Sequence, residues 1–260
     1  MKSIKNYLNS CLESLLDDDD IYLDSENDKK VIEEWIKDNY KIYGKLTISD
    51  DFVVDCNGSV AVINKSIDSL TNGLFSWGDV RGDFDCTGCN NLKSLEGAPE
   101  KVGNDFWCAS CKKITSLEGA PKEVGKYFNC TFCHNLKSLE GAPESVGGGF
   151  YCSGCEKLTS LEGAPEKVNR DFFCYNCENL KTLEGAPKKV GDRFNCGYCN
   201  NITTLKGAPK EVGEDFYCNH CENLKTLEGA PGIIGGCLHC KYCKNLTFTD
   251  SDRKKYRIED

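Results

Sequence analysis

Apolar side chains recur along most of the chain with a period of 22 residues. Each unit places one aromatic residue, two cysteines, two aliphatic residues and a valine at fixed spacing, with polar residues between them. The aromatic slot is filled by Phe84, Phe106, Phe128, Phe150, Phe172, Phe194 and Phe216, and Leu238 ends the series. Such strict repetition predicts a solenoid, in which each unit buries its apolar side chains against the next one.

The repeated unit reads F-x-C-x-x-C-x-x-L-x-S/T-L-E-G-A-P-x-x-V-G. Alternation in F-x-C predicts a short strand whose phenylalanine and first cysteine point inward. All seven prolines lie in the Gly-Ala-Pro segments. These segments are predicted to be turns, because proline has no N–H to donate to a strand ladder. The glycine after the valine is replaced once, by Asn169. Since asparagine tolerates left-handed backbone better than other non-glycine residues, this slot is predicted to be a turn with positive φ.

The spacing resembles the leucine-rich repeat L-x-x-L-x-L-x-x-N/C-x-L, with the second cysteine at the Asn/Cys position. The turn L-x-S-L-E-G-A-P is also similar to short proline-bearing repeats of bacterial effectors. The phrases Ser-Leu-Glu-Gly-Ala-Pro and Val-Gly-x-x-Phe resemble repeats of uncharacterised phage and bacterial proteins. The resemblance covers residues 46–247. It implies an α/β repeat solenoid: a leucine-rich-repeat arc with a parallel β-sheet on the concave face and irregular loops on the convex side. The ligase domain of the effectors has no counterpart in this sequence.

The segments that flank the repeats follow other patterns. Helical spacing of apolar residues predicts amphipathic helices over 2–16 and 27–40, which would cover the open core of the first repeat. Asn57-Gly58 lies between two β-branched runs and predicts a β-hairpin. The chain is therefore divided into an N-terminal helical cap, a hairpin with one or two atypical repeats, an array of eight strands, and a polar C-terminal tail or cap, at residues 1–45, 46–83, 84–247 and 248–260.

Charge and hydropathy exclude several function classes. The 260 residues include 41 Asp and Glu against 32 Lys and Arg, a net charge of -9. This balance disfavours binding to nucleic-acid phosphates or to an anionic membrane. The sequence contains no apolar run long enough to span a bilayer and no recognisable signal-peptide core after Met1. We therefore expect a cytoplasmic protein, in the host cytoplasm if the protein is viral.

The 19 cysteines are the most conspicuous candidate chemistry. Most of them form Cys-x-x-Cys pairs, and adjacent pairs have the spacing C-x2-C-x18-C-x2-C that occurs in zinc sites. Buried free thiols, zinc ligands and redox disulfides are the three alternatives. Every pair has two equivalent neighbours, and both cysteines occupy core slots of the repeat, so buried thiols are favoured. The second cysteine is expected to satisfy backbone groups in the bend. No cofactor is predicted.

The variable positions of the repeat define a candidate binding surface. They place aromatic side chains on the outer face of the predicted sheet, with acidic residues along its edge. Exposed aromatic clusters are typical of interaction surfaces, although packing between neighbouring strands is an alternative explanation. The candidate partner-binding residues are Trp107, Tyr151, Phe173, Tyr217, His239, Phe132, Tyr175, Tyr198, Tyr242, Asp105, Asp171 and Asp215.

These features favour a non-catalytic protein–protein interaction module over an enzyme, because no nucleophile–base pair or phosphate-binding loop stands out from the repeat. The partner is an unidentified protein, basic if the acidic edge takes part, and a host protein if the phage resemblance extends to function. The alternatives are a binder of a small aromatic or nucleotide-like ligand and a zinc-stabilised structural repeat protein. No membrane partner is expected, nucleic acid is disfavoured, and the pattern indicates no oligomeric state.

Overall fold

A computed structural model describes residues 25–260 of the chain. The first predicted helix, over 2–16, lies outside the described residues. Helix α1, Ser25–Asn39, confirms the second one. Its side chains Ile32 and Ile36 are buried, and its Trp35 ring meets Phe75 edge-on at 5.8 Å between centroids. This helix therefore covers the N-terminal end of the core.

Two sheets run along the molecule. Sheet A contains, in spatial order, β1 Tyr40–Tyr43, β4 Ser59–Val62, β6 Phe84–Asp85, β8 Phe106–Trp107, β10 Phe128–Asn129, β12 Phe150–Tyr151, β14 Phe172–Phe173, β16 Phe194–Asn195, β18 Phe216–Tyr217, β20 Leu238–His239 and β21 Ile258–Glu259. Sheet B contains β2 Leu46–Ile48, β3 Val53–Cys56, β5 Ser76–Val80, β7 Lys101–Val102, β9 Glu123–Val124, β11 Ser145–Val146, β13 Lys167–Val168, β15 Lys189–Val190, β17 Glu211–Val212 and β19 Ile233–Ile234.

The molecule is a parallel β-solenoid. Every strand pair is parallel except the two at the N-terminal end, where β1 runs antiparallel to β4 and β2 antiparallel to β3. The second sheet lies where the sequence predicted irregular loops, because the valine before each glycine is buried and pairs in register with the valine of the next coil. Among the described residues, the repeats contain no helix, and the helices lie only at the two ends.

The predicted hairpin at Asn57-Gly58 is wrong. Strand β3 pairs in sheet B and β4 pairs in sheet A, so Asn57-Gly58 turns the chain from one sheet to the other. A Cβ at Gly58 would lie 1.8 Å from the carbonyl oxygen of Tyr43. The glycine is therefore required by the close approach of a neighbouring segment, whereas a type I′ hairpin would require it for its positive φ.

Identical side chains stack along the core. The seven phenylalanine rings are buried, with neighbouring centroids 5.1–5.6 Å apart and ring planes within 12° of parallel. Leu238 continues this column, and Ile258 pairs in register with Leu238. Since each ring packs against the next one, the apolar core is continuous from the N-terminal helix to the last strand.

The prediction of positive φ at the glycine after the valine is also wrong. The glycines of the Gly-Ala-Pro turns, such as Gly119 and Gly141, have positive φ instead. The glycine after the valine is required for another reason: a Cβ at Gly125 would lie 2.0 Å from the carbonyl oxygen of Gly103 in the preceding coil. Gly125 donates its N–H to Val102 at 2.9 Å, as its equivalents do in other coils.

The C-terminal segment completes the solenoid. Helix α2, Asp250–Lys255, begins at Thr249, which forms a capping box with Asp252. The Tyr256 hydroxyl then donates to the carbonyl of Pro231 at 2.9 Å. These contacts place Ile258 and Glu259 on the open edge of sheet A as its last strand, so the segment predicted as a polar tail or cap covers the final coil. Across residues 25–260, no helix combines the length and apolarity needed to span a membrane.

Some glycines lie against the backbone of the preceding coil and others do not, and this difference gives a direct test of the coil stacking. We expect Gly125→Ala to lower the free energy of unfolding by about 1–3 kcal/mol, as overpacking does, because the new methyl group would overlap a backbone carbonyl. Gly232→Ala is the matched control: its Cβ would meet only the Lys210 carbonyl oxygen, at 3.5 Å. Urea denaturation of both variants measures the difference, and equal stabilities would contradict the proposed overlap.

Candidate functional site

The outer face of sheet A carries the predicted aromatic surface. The residues that follow each aromatic slot form a column on this face, which we call the outer column: Asp85, Trp107, Asn129, Tyr151, Phe173, Asn195, Tyr217 and His239. All of them are half-buried. The Tyr151 and Phe173 rings are 5.3 Å apart, and the Tyr217 and His239 rings stack at 4.3 Å. Part of this column is thus packed as cross-strand pairs.

Two side chains outside the predicted set extend this surface. The Tyr127 ring stacks on Tyr151 at 5.7 Å, and the Arg193 guanidinium lies 5.4 Å from the centroid of Phe173. Both residues immediately precede an aromatic slot, so they point to the same side of the strand as the outer column. The sequence itself carries this signal, because the position before each aromatic slot holds Tyr127 and Arg193 as well as aspartates.

A second set of rings lies in the bend after each sheet A strand. The residues that immediately precede the second cysteine of each coil form a column in this bend, which we call the bend column: Gly88, Ser110, Phe132, Gly154, Asn176, Tyr198, His220 and Tyr242. Every one of these residues has a left-handed backbone, with φ between 56° and 72°. The rings of Tyr198, His220 and Tyr242 stack in sequence at 4.3 and 4.5 Å. Tyr175 lies one position earlier in its coil and does not belong to this column.

Left-handed backbone is unfavourable for bulky side chains, by roughly 1–2 kcal/mol per residue. Glycine and asparagine occupy the bend column in three coils, as that conformation favours. The aromatic members are nonetheless well exposed, at 45% for Phe132, 49% for Tyr198 and 67% for Tyr242. Strained exposed rings gain little from burial, so their presence points to a role outside folding.

The acidic edge has a structural task. Asp105 accepts a hydrogen bond from the backbone N–H of Tyr127 at 3.0 Å, and Asp215 accepts one from Cys237 at 2.8 Å. Asp171 accepts from the Arg193 N–H and pairs with its guanidinium at 2.9 Å. These carboxylates therefore connect each coil to the next, and the backbone N–H of Cys237 is the largest contribution that holds the pKa of Asp215 below its usual range.

The paired cysteines form two buried ladders along the core. The second cysteine of each coil donates its S–H to the carbonyl of the first cysteine in the preceding coil. This contact recurs at 3.0–3.3 Å for Cys111, Cys133, Cys155, Cys177, Cys199, Cys221 and Cys243. It is the backbone-satisfying role predicted for the second cysteine. All 18 cysteines of the described residues are free thiols in this structure.

Burial suppresses the acidity of most of these thiols, whereas a hydrogen bond with Cys86 lowers the pKa of Cys111 and one with Cys218 lowers the pKa of Cys243. Burial raises the pKa of Cys89 to about 12 and raises the pKa of Cys130 and Cys174 above the usual range. The thiolate is the reactive form of cysteine, so these ladders are poor candidates for nucleophilic or redox chemistry at neutral pH.

The opposite face, formed by sheet B, is charged and internally paired. Lys101 lies 3.1 Å from Glu123, and Lys189 lies 2.6 Å from Glu211. A groove of about 470 Å³ crosses this sheet, and it is lined by charged side chains and by the glycine column around Gly125. The aromatic side chains of the candidate site are not part of its lining. The two faces therefore differ sharply in chemistry.

Comparisons with protein-family models, with curated proteins and with solved structures found no match to this chain.

The raised thiol pKa values predict alkaline instability. An unfolded thiol ionises near pH 8.5, whereas a buried one stays protonated, so its stabilising contribution is complete below pH 8.5 and is lost as the pH rises towards the folded pKa. We expect the free energy of unfolding to fall by about 1.4 kcal/mol per pH unit for each such thiol. Urea titrations between pH 8 and 9.5 measure this slope. Cys152→Ala should make it shallower, and a flat profile would contradict the prediction.

The strain in the bend column predicts that removing a ring stabilises the fold. Phe132→Gly should raise the free energy of unfolding by about 1 kcal/mol, because glycine adopts positive φ without steric cost. Phe52→Gly is a useful comparison, since Phe52 has φ 58° but packs against the core; there we expect a net loss of stability. Thermal melts measure both variants. A stability loss of more than 1 kcal/mol on Phe132→Gly would show that its ring serves the fold.

Proposed function

We propose that this protein is a non-catalytic interaction module that binds a protein partner through the outer face of sheet A and the adjoining bend. In the leucine-rich-repeat comparison suggested by the sequence, this face corresponds to the concave side of the arc. The observation that carries the proposal is the set of exposed rings on left-handed backbone. Selection for folding alone would favour glycine or asparagine at those positions.

The arrangement of the rings suits a protein partner. The outer column and the bend column together form a surface several coils long, with neighbouring strands about 4.8 Å apart. Rigid aromatic side chains supply contact area at a low entropic cost, and they accept the guanidinium and ammonium groups of basic partners on their faces. Arg193 over Phe173 is an internal example of that contact.

The acidic side chains contribute less to recognition than the sequence suggested. Asp105, Asp171 and Asp215 already accept backbone hydrogen bonds, and Asp171 is also paired with Arg193. We therefore assign the partner's affinity to the rings, with the remaining carboxylate oxygens setting a preference for basic groups. The proposed partner is therefore a protein with exposed basic groups. It would lie in the same cytoplasm, or would be a host protein if the chain is of viral origin.

A small aromatic or nucleotide-like ligand is the second candidate and is less favoured. Small ligands bind in concave sites that bury most of their surface. The grooves described for this chain lie along sheet B and its N-terminal edge, and both are lined by charged residues. Rings that already stack on one another, such as Tyr198 on His220 at 4.3 Å, leave no gap for an inserted base.

Site-specific photocrosslinking tests the proposal with a matched pair of positions. Tyr242 and Ile233 lie in adjacent coils and are 67% and 61% exposed, but Tyr242 is in the bend beside sheet A and Ile233 is on sheet B. With benzoylphenylalanine at either position, we expect a crosslinked protein in native cell extract from position 242 and none from 233.

The triple variant Trp107→Ala, Tyr151→Ala, Phe173→Ala should abolish the crosslink from position 242 while the circular dichroism spectrum is retained. Lys101→Ala with Glu123→Ala on sheet B is the control and should leave it unchanged. Equal crosslinking from positions 242 and 233, or full crosslinking by the triple variant, would rule out binding through the aromatic face.

A further inference from the structure

The last coils of sheet A bring together a thiol, an imidazole and two carboxylates from three adjacent strands. Cys237 immediately precedes β20 and His239 lies within it, so their side chains point to the same side of the sheet. Asp215 occupies the Cys237 position one coil earlier. Glu259 pairs in register with His239 from the other side, through β21.

Three of these side chains direct donor atoms towards one point. One ligand atom each from Asp215, Cys237 and His239 lie within 4.8 Å of one another. The Nε2 atom of His239 is 3.6 Å from Oδ1 of Asp215, and it is buried without a hydrogen-bond partner. A tetrahedral zinc with bonds of about 2.0–2.3 Å holds its ligand atoms about 3.3–3.8 Å apart. Side-chain rotations that shorten the gaps by about 1 Å would therefore complete a coordination shell.

The imidazole of His239 is already oriented for this role. Its Nδ1 lies 3.2 Å from Oε2 of Glu259, so the Nδ1–H can donate to that carboxylate and Nε2 faces the other two donors. The Tyr217 ring stacks on the imidazole at 4.3 Å, and the Tyr217 hydroxyl donates to Oδ2 of Asp215 at 2.9 Å. A carboxylate that holds the distal nitrogen of a histidine is the usual outer partner of a metal-bound imidazole.

We propose that Asp215, Cys237 and His239 bind one zinc ion through a carboxylate oxygen, a thiolate and Nε2, with Glu259 holding Nδ1–H. A mixed set of sulfur, imidazole and carboxylate ligands suits zinc better than magnesium or calcium, which prefer oxygen alone. Binding releases the Cys237 thiol proton to solvent. Three protein ligands leave the fourth tetrahedral position for water.

This site differs from the cysteine ladders. Cys237 lies outside the Cys-x-x-Cys pattern, at a slot that holds aspartate, tyrosine, glycine or arginine in other coils. Within residues 25–260, the three-donor cluster that the geometry brings together is this one, and it contains no ladder cysteine. Without a metal, the Cys237 thiol is within hydrogen-bonding reach of Glu259, so a test of the site has to report a bond to sulfur directly.

Cobalt(II) titration of the full chain under reducing conditions tests the proposal, because thiolate-to-cobalt charge transfer reports a sulfur ligand directly. We expect one cobalt per chain with that absorption band, displaced by one equivalent of zinc. Cys237→Ser should abolish the band. His239→Phe, which keeps a ring against Tyr217, should abolish tight binding, and Glu259→Gln should weaken it about 10–100-fold.

Two control variants change an aspartate and a histidine that lie outside the proposed zinc site. Asp105→Asn changes the Asp215 position of another coil, where Tyr127 follows instead of a cysteine. His134→Asn removes an imidazole that lies 2.9 Å from Glu156. Both should bind cobalt as the unmodified chain does. Absence of the charge-transfer band in the unmodified chain would overturn the proposal, as would unchanged binding by Cys237→Ser and His239→Phe. The readout is metal binding alone, so it is independent of any protein partner.

Discussion

The close stacking of one 22-residue coil on the next governs the rest of the structure. Parallel strands hold equivalent residues about 4.8 Å apart, so every side chain has its own repeat equivalent as its nearest neighbour. Where that neighbour is a backbone carbonyl, glycine is strongly favoured and Asn169 is the exception in the array: a Cβ at Gly213 would lie 1.8 Å from the carbonyl oxygen of Gly191. Where the neighbours are inward side chains, identical residues stack well, as in the phenylalanine column. The strict sequence period is a direct consequence of this geometry.

The same stacking explains the unusual cysteine content. A thiol is small enough to fit inside the solenoid, and its S–H reaches the carbonyl of the preceding coil, so a buried polar group is satisfied at every turn. Cys111 and Cys133 make this contact at 3.2 Å. Serine would offer a similar donor, but it would cost more to bury in the apolar core. The Cys-x-x-Cys spacing, which in another fold would indicate zinc, is here a feature of the core.

Positions that point outward are free of this constraint, and both proposals concern them. Phe132 and Tyr242 keep rings on left-handed backbone that folding does not favour. Cys237 and His239 add a thiol and an imidazole beside an aspartate whose role elsewhere is to accept a backbone N–H. In each case the unusual residue occupies a variable slot of the repeat.

The period, the inward positions and the solenoid class were determined by the sequence, because a one-dimensional repeat converts sequence spacing directly into spatial neighbours. The helix α1 was predictable because amphipathic spacing is local. The second sheet, the turn at Asn57-Gly58 and the cause of the glycine column depend on how the two sides of a coil approach each other, which local patterns do not encode. The pairing of β21 with β20 depends on a tertiary contact through Tyr256. Only that contact places Glu259 beside His239, so the tertiary structure alone decided the arrangement of the proposed zinc site.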